Sequence, residues 1–159
     1  MKYANQKKFN DLINDLERCS IRKQYQDMNV IYAEMERLNF CNEKVHTYFV
    51  PLLEEGQLQL PYELIYRMRI HENDEFMIRV VYDIDNHEYL LTAGNGFRLL
   101  SARTISKYKV IIDKTYCIYI NNIGKAKLNL KQGNIIQITL IDDAMLLNKY
   151  ERLYPYRIY

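Results

Sequence analysis

One hydropathy pattern occurs twice in this chain, 60 residues apart, and that duplication limits the fold more than any other feature. Residues 50–81 and 110–141 align without a gap. The stretch LQLPYELIYRMRIHENDEFMIRV lies over IYINNIGKAKLNLKQGNIIQITL. Leu58, Leu60, Met68, Ile70, Phe76 and Ile78 face Ile118, Ile120, Leu128, Leu130, Ile136 and Ile138. Only Val50/Val110 and Ile78/Ile138 are identical, so what repeats is a pattern of burial. A unit of about 45 residues is too small to hold a core alone, so two copies imply one interior built from both. After the aligned window, Leu90 and Leu91 match Leu146 and Leu147 at an offset of 56. Four residues are therefore extra in the first unit's hairpin turn, where insertions cost least.

No Gly or Pro precedes Pro51, which permits long helices up to about residue 44. Phe9, Leu12, Ile13, Leu16 and Cys19 recur at helical spacing, as do Tyr25, Met28, Ile31, Tyr32, Met35 and Leu38. The register slips at residues 20–23, which predicts two helices or one bent one. Each stripe is an interface onto the rest of the fold or onto a dimer mate. From His46 the period becomes that of strands. Strands are expected at 48–53 and 57–60, and a short helix at 62–68, opened by Pro61. A polar turn at 71–74, a strand at 75–82, a turn at 83–86 and a strand at 88–93 complete the first unit. Gly94-Asn-Gly96 breaks the chain, and 97–106 is a connector of no assigned form. The second unit predicts strands at 109–113 and 117–120, a poor helix through Gly124, and a turn at 131–134. Strands at 135–141 and 145–149 follow, joined by Asp142-Asp143. The organisation is thus a helical segment (1–45), a tandem region (46–150, with units 46–93 and 108–150) and an aromatic, basic tail (151–159). At this end of the chain Tyr150, Tyr154, Tyr156 and Tyr159 cover a core edge or stack on bases.

The net charge is +2 and unevenly spread. Residues 50–93 hold three Arg against nine acids, and residues 94–159 hold eleven Lys or Arg against four acids. An anionic partner on one side, or attraction between the halves, accounts for that asymmetry. Three unpaired cysteines, Cys19, Cys41 and Cys117, fit a reducing compartment better than a disulfide framework. No apolar run approaches ~18 residues, and the N-terminus lacks the apolar stretch of a secretion signal, so a cytoplasmic protein without membrane contact is expected. His46, His71 and His87 lack metal-ligand spacing with one another or with a cysteine. Asp83-Ile-Asp85-Asn86 starts like a calcium loop, but Glu88 and Gly94 occupy the positions that need Gly and Glu, which leaves a hairpin turn. No phosphate loop, dinucleotide fingerprint or nucleophile elbow occurs. The expectation is a non-enzyme with no cofactor and no metal.

Glu55-Gly-Gln-Leu-Gln-Leu-Pro61, Glu63-Leu-Ile-Tyr-Arg-Met-Arg-Ile70 and Glu72-Asn-Asp74-Glu together resemble the AbrB/SpoVT/MazE superfamily. Asp113-Lys-Thr-Tyr-Cys-Ile-Tyr-Ile120, Leu128-Asn-Leu130 and Lys131-Gln-Gly133-Asn134 resemble a worn second copy, an arrangement similar to the tandem MraZ family. The resemblance implies an α+β fold: a swapped-hairpin β-barrel from two tandem AbrB-like units, preceded by the N-terminal helical segment. It also implies DNA binding, with basic residues near the first two strands and the short helix touching phosphates. Gln57 stands where the family's Gly-Arg pair has its Arg, and Tyr116-Cys117 replaces both members in the second unit.

The leading expectation is a DNA-binding transcriptional regulator that meets duplex DNA through its second unit. Lys109, Lys114, Lys125 and Lys127 are the candidate phosphate contacts, and Lys107, Arg98 and Arg103 extend the patch. Homo-oligomerisation is expected through the N-terminal helices. The alternative is a protein-interaction module, antitoxin-like or scaffold, that kept the barrel and lost DNA contacts. In that case Glu54, Glu55, Glu72 and Glu75 face a basic partner.

Overall fold

The computed structural model describes residues 3–37, 47–94, 102–141 and 144–151. Two helices, α1 (Tyr3–Ile21) and α2 (Tyr25–Arg37), come first. The first repeat holds β1 (Thr47–Pro51), a 3-10 turn (Glu54–Gly56), β2 (Gln57–Gln59), α3 (Tyr62–Met68), β3 (Glu75–Asp83) and β4 (Glu88–Ala93). The second holds β5 (Ala102–Ile111), β6 (Cys117–Tyr119), α4 (Asn122–Lys127), β7 (Ile135–Ile141) and β8 (Ala144–Lys149). The helical register slip at 20–23 is a true break. Lys23 is left-handed at φ 59, and the Gln24 N–H closes onto the Cys19 carbonyl at 2.8 Å.

The expected closed swapped-hairpin barrel does not form. The strands make an open, antiparallel six-stranded sheet, in the order β1-β7-β8-β4-β3-β5, and a separate ribbon, β2-β6. A barrel needs every strand paired on both sides, but β1 pairs only with β7 and β5 only with β3. At three residues each, β2 and β6 pair with each other and with no other strand.

The repeats interlock within this sheet. The first strand of each pairs with the third strand of the other, as β1 with β7 and β5 with β3. Loop hydrogen bonds recur at the same 60-residue offset. Leu52 N–H donates to Asn134 O and Gly133 N–H to Leu52 O, while Ile112 N–H donates to Asp74 O and Asn73 N–H to Ile112 O, each at 2.8 Å. Left-handed positions recur as well: Gly56 and Tyr116 (φ 77 and 54), Arg69 and Asn129 (both 53), Asn73 and Gly133 (74 and 91). The last pair shares a device, because His71 N–H and Lys131 N–H donate to the side chains of Asp74 and Asn134 at 2.7 and 2.8 Å.

Both repeats feed one core. Leu58, Leu64, Ile78 and Leu91 of the first pack with Ile112, Ile118, Ile136 and Leu147 of the second. A second cluster joins the helices to the sheet's other face, where Phe9, Ile13, Leu16, Met28, Ile31 and Met35 meet Phe49, Leu53 and Ile135. Phe9, Phe49 and Tyr150 stack edge-on, with ring centroids 5.0 to 5.6 Å apart. The helical stripe is therefore spent on the chain's own sheet. No helix among the described residues is long and apolar enough to cross a membrane.

Candidate nucleic-acid interface

Strand β5 begins at Ala102, within the stretch up to residue 106 that sequence spacing assigns to no element. Its alternation is weak because it edges the sheet, and only Val110 along it is buried. Its register also shifts. Val80 pairs with Ser106 and Val81 with Thr104, which leaves Ile105 without an opposite residue. A bulge of this kind reverses which face the following side chains take.

That bulge divides the candidate cations. Lys107 lies opposite Arg79 and Lys109 opposite Met77, on the sheet face away from the main core. Lys109 is ion-paired to Glu75 at 3.5 Å, and Arg79 reaches the Gly94 carbonyl, also at 3.5 Å. Lys107 and Arg79 are like charges directly opposed across two strands, a pairing that costs stability unless an anion answers it. Beyond the bulge, Arg103 lies opposite Tyr82, and Tyr82 opposite Tyr89. All three lie on the core-bearing face, at the end of the sheet.

The Tyr82 and Tyr89 rings are 4.9 Å apart and tilted by 51°. From α4, the Lys127 ammonium sits 5.1 Å from the centroid of Tyr89, a cation–π contact. The N-cap of α4 is Asn121, whose side chain accepts from Gly124 N–H at 2.8 Å. The backbone of Asn121 is held in turn by the Tyr108 hydroxyl, which donates to Tyr119 O at 2.5 Å and accepts from Asn121 N–H at 3.1 Å. Burial pushes the Tyr108 phenol up, against the Asn121 hydrogen bond, so it stays a neutral donor. Gly124 is buried, and the close approach there leaves no room for a side chain, since an added Cβ would lie 2.9 Å from Ile120 Cγ2. The outcome is a row across three strands and one helix: Arg103, Tyr82, Tyr89, Lys127. His87 extends it, its Nδ1 3.3 Å from the Tyr82 hydroxyl.

The remaining candidates scatter. Lys125 is half-buried on α4. Lys114 stands in the β5–β6 turn beside Asp113, whose carboxyl is held below its usual range by the Thr115 hydroxyl and N–H. Arg98 lies outside the described residues. The six described cations therefore do not share one face. Sequence spacing missed Tyr82 and Tyr89, and their one signal was two aromatic residues flanking a four-residue hairpin turn. That turn is closed by Asp83, which accepts from Asp85 N–H at 3.1 Å and Asn86 Nδ2 at 2.8 Å. Of the acidic residues expected to meet a basic partner, Glu54 is paired to Lys23 at 2.5 Å and Glu75 to Lys109. Among the described residues no group of three His, Cys, Asp or Glu is arranged to hold a metal ion.

The sequence matches no described protein family and no curated protein. Among solved structures, the chain is similar to the solution structure of PHS018 from Pyrococcus horikoshii. The identity is 12%, the match covers 68% of this chain and 95% of that one, and the TM-score is 0.39, too distant to carry a conclusion.

Proposed function

We propose that the protein is a DNA-binding regulator whose nucleic-acid strand lies along the row Arg103–Tyr82–Tyr89–Lys127. The observation that carries this reading is the joining of two cations to a tyrosine pair on one surface. The cations take phosphates and position the strand, while the half-exposed Tyr82 ring meets a base or sugar. With the two phosphate contacts of the row, log affinity falls against log salt with a slope of about −1.8 on duplex DNA.

An anisotropy titration with labelled duplex at ~50 mM salt tests it. The double reversal Arg103→Glu with Lys127→Glu is expected to weaken binding at least tenfold. The reversal Lys107→Glu with Lys109→Glu, on the opposite face, is expected to change it little. Absence of saturable binding rejects the function, and equal losses from the two reversals reject the row. Self-association through α1 and α2 is a separate proposal. It rests on Ile21 and Val30, which are 59% and 68% exposed. A sedimentation mass that is monomeric before and after Val30→Asp rules it out.

A further inference from the structure

A cleft of about 840 Å³ opens between α2 and the sheet. That is room for an organic molecule, since such sites run from about 300 to 1,000 Å³. Met28 and Met35 line it from α2, Phe49 from β1, Leu60 from the segment before α3, and Ile65 from α3 itself. Met28, Met35 and Leu60 are almost wholly buried beneath it and form its floor rather than an open wall, and methionine adapts to a flexible alkyl chain. Two charged side chains reach the cleft, Glu63 and Lys114. The Glu63 carboxylate is already answered, because Arg67 donates to it from Nε at 2.9 Å and Nη2 at 2.8 Å. The neighbouring Asp113 is engaged by Thr115. Lys114 has no hydrogen-bond or ion-pair partner among the described residues. Burial drives the Tyr32 phenol far above its ordinary range, so no tyrosinate offsets that ammonium near neutral pH.

We propose that this cleft binds an aliphatic monocarboxylate, with its chain against Met28, Met35, Phe49 and Leu60 and its carboxylate at Lys114. A mainly apolar lining, with a cation at its edge that has no direct partner among the described residues, favours an amphipathic anion over a neutral or cationic molecule of the same length. The site is separate from the tyrosine row and stands whether or not the protein binds DNA.

Calorimetric titration of the full chain with decanoate, decan-1-ol and acetate tests the proposal. Decanoate is expected to bind at one per chain, decan-1-ol about tenfold more weakly for want of the charge-assisted contact, and acetate not at all. Lys114→Gln should remove the preference for the acid over the alcohol. Ala33→Trp, which fills the cleft from α2, should abolish binding while a cooperative thermal transition shows the fold intact. Three results overturn the proposal: no saturable decanoate binding by the wild-type chain, equal affinity for the alcohol, or an unchanged acid preference in Lys114→Gln.

Discussion

β1 and β5 hold equivalent places in the two repeats, and they have met opposite fates. Each is a sheet edge, and each pairs with the third strand of the other repeat. The outer face of β1 is sealed by α1 and α2 through Phe49 and its ring contacts with Phe9 and Tyr150. β5 is twice as long, at ten residues against five, carries a bulge and exposes Arg103, Lys107 and Lys109. The duplicated part is therefore the skeleton: inward apolar positions, left-handed turns and reciprocal loop bonds. The surface was free to diverge, because exposed positions answer to solvent and partners rather than to packing. Exposed lysines on an open edge also keep it from pairing with another chain.

That contrast can be broken most sharply at the edges. Phe49→Ala should cost about 3–4 kcal/mol in urea unfolding, whereas Lys107→Thr should lie within about 0.5 kcal/mol of wild type. Similar costs for both would remove the distinction between a sealed edge and an open one. The skeleton is probed at Leu58 and Ile118, directly opposed in the β2–β6 ribbon and both 0% exposed. Leu58→Ala and Ile118→Ala should each cost about 3 kcal/mol, and a gap above about 1.5 kcal/mol would show that the halves share the core unequally.

Smaller effects follow at the turns. Gly56 has φ 77, and an added Cβ would lie 2.4 Å from the Ile120 carbonyl oxygen. Gly56→Ala should therefore cost about 2–3 kcal/mol. Tyr116 tolerates φ 54 at the equivalent site, and Tyr116→Gly should cost about 1 kcal/mol, lost packing being offset by relief of strain. The smallest effect is the acid sensitivity that Asp113 adds to the second repeat, Leu53 standing at the matching place in the first. Hydrogen bonds from the Thr115 hydroxyl and N–H hold the folded-state pKa of Asp113 below the usual carboxylate range. Its stabilisation is thus present above the unfolded value and lost as pH falls through the folded one. Solvent exposure keeps it slight. Asp113→Asn should flatten melting temperature against pH below about pH 4, and an unchanged slope would assign the effect elsewhere.

The repeat was legible because inward positions such as Ile78 and Ile138 obey a period of two, which sequence displays directly. The helix break at Lys23 was legible as a slip in a period of 3.6. Barrel closure was not, since it depends on whether β1 and β5 find second partners, a long-range matter that no local pattern encodes. Nor was the division of the basic patch. One unpaired residue, Ile105, turns Arg103 away from Lys107, although a spacing of four would set them on one face. The four residues assigned to the first hairpin's turn are split between turn and strand. β3 is two residues longer than β7, and residues 84–87 form a four-residue turn where only 142–143 lie between β7 and β8. The cleft beside Lys114 was equally hidden, because it exists only where α2, β1, α3 and the turn at 114–116 come together.

The reciprocal bonds of Leu52 and Ile112 also bear on how the chain can be divided. Severed between Gly94 and Ala102, it would give two fragments, each supplying amide and carbonyl partners that the other lacks. We expect neither to be soluble when expressed alone and both to co-purify as a stoichiometric heterodimer when expressed together. A half that folded by itself would mean that the polypeptide link, rather than mutual completion, keeps the two lineages of this duplication in one molecule.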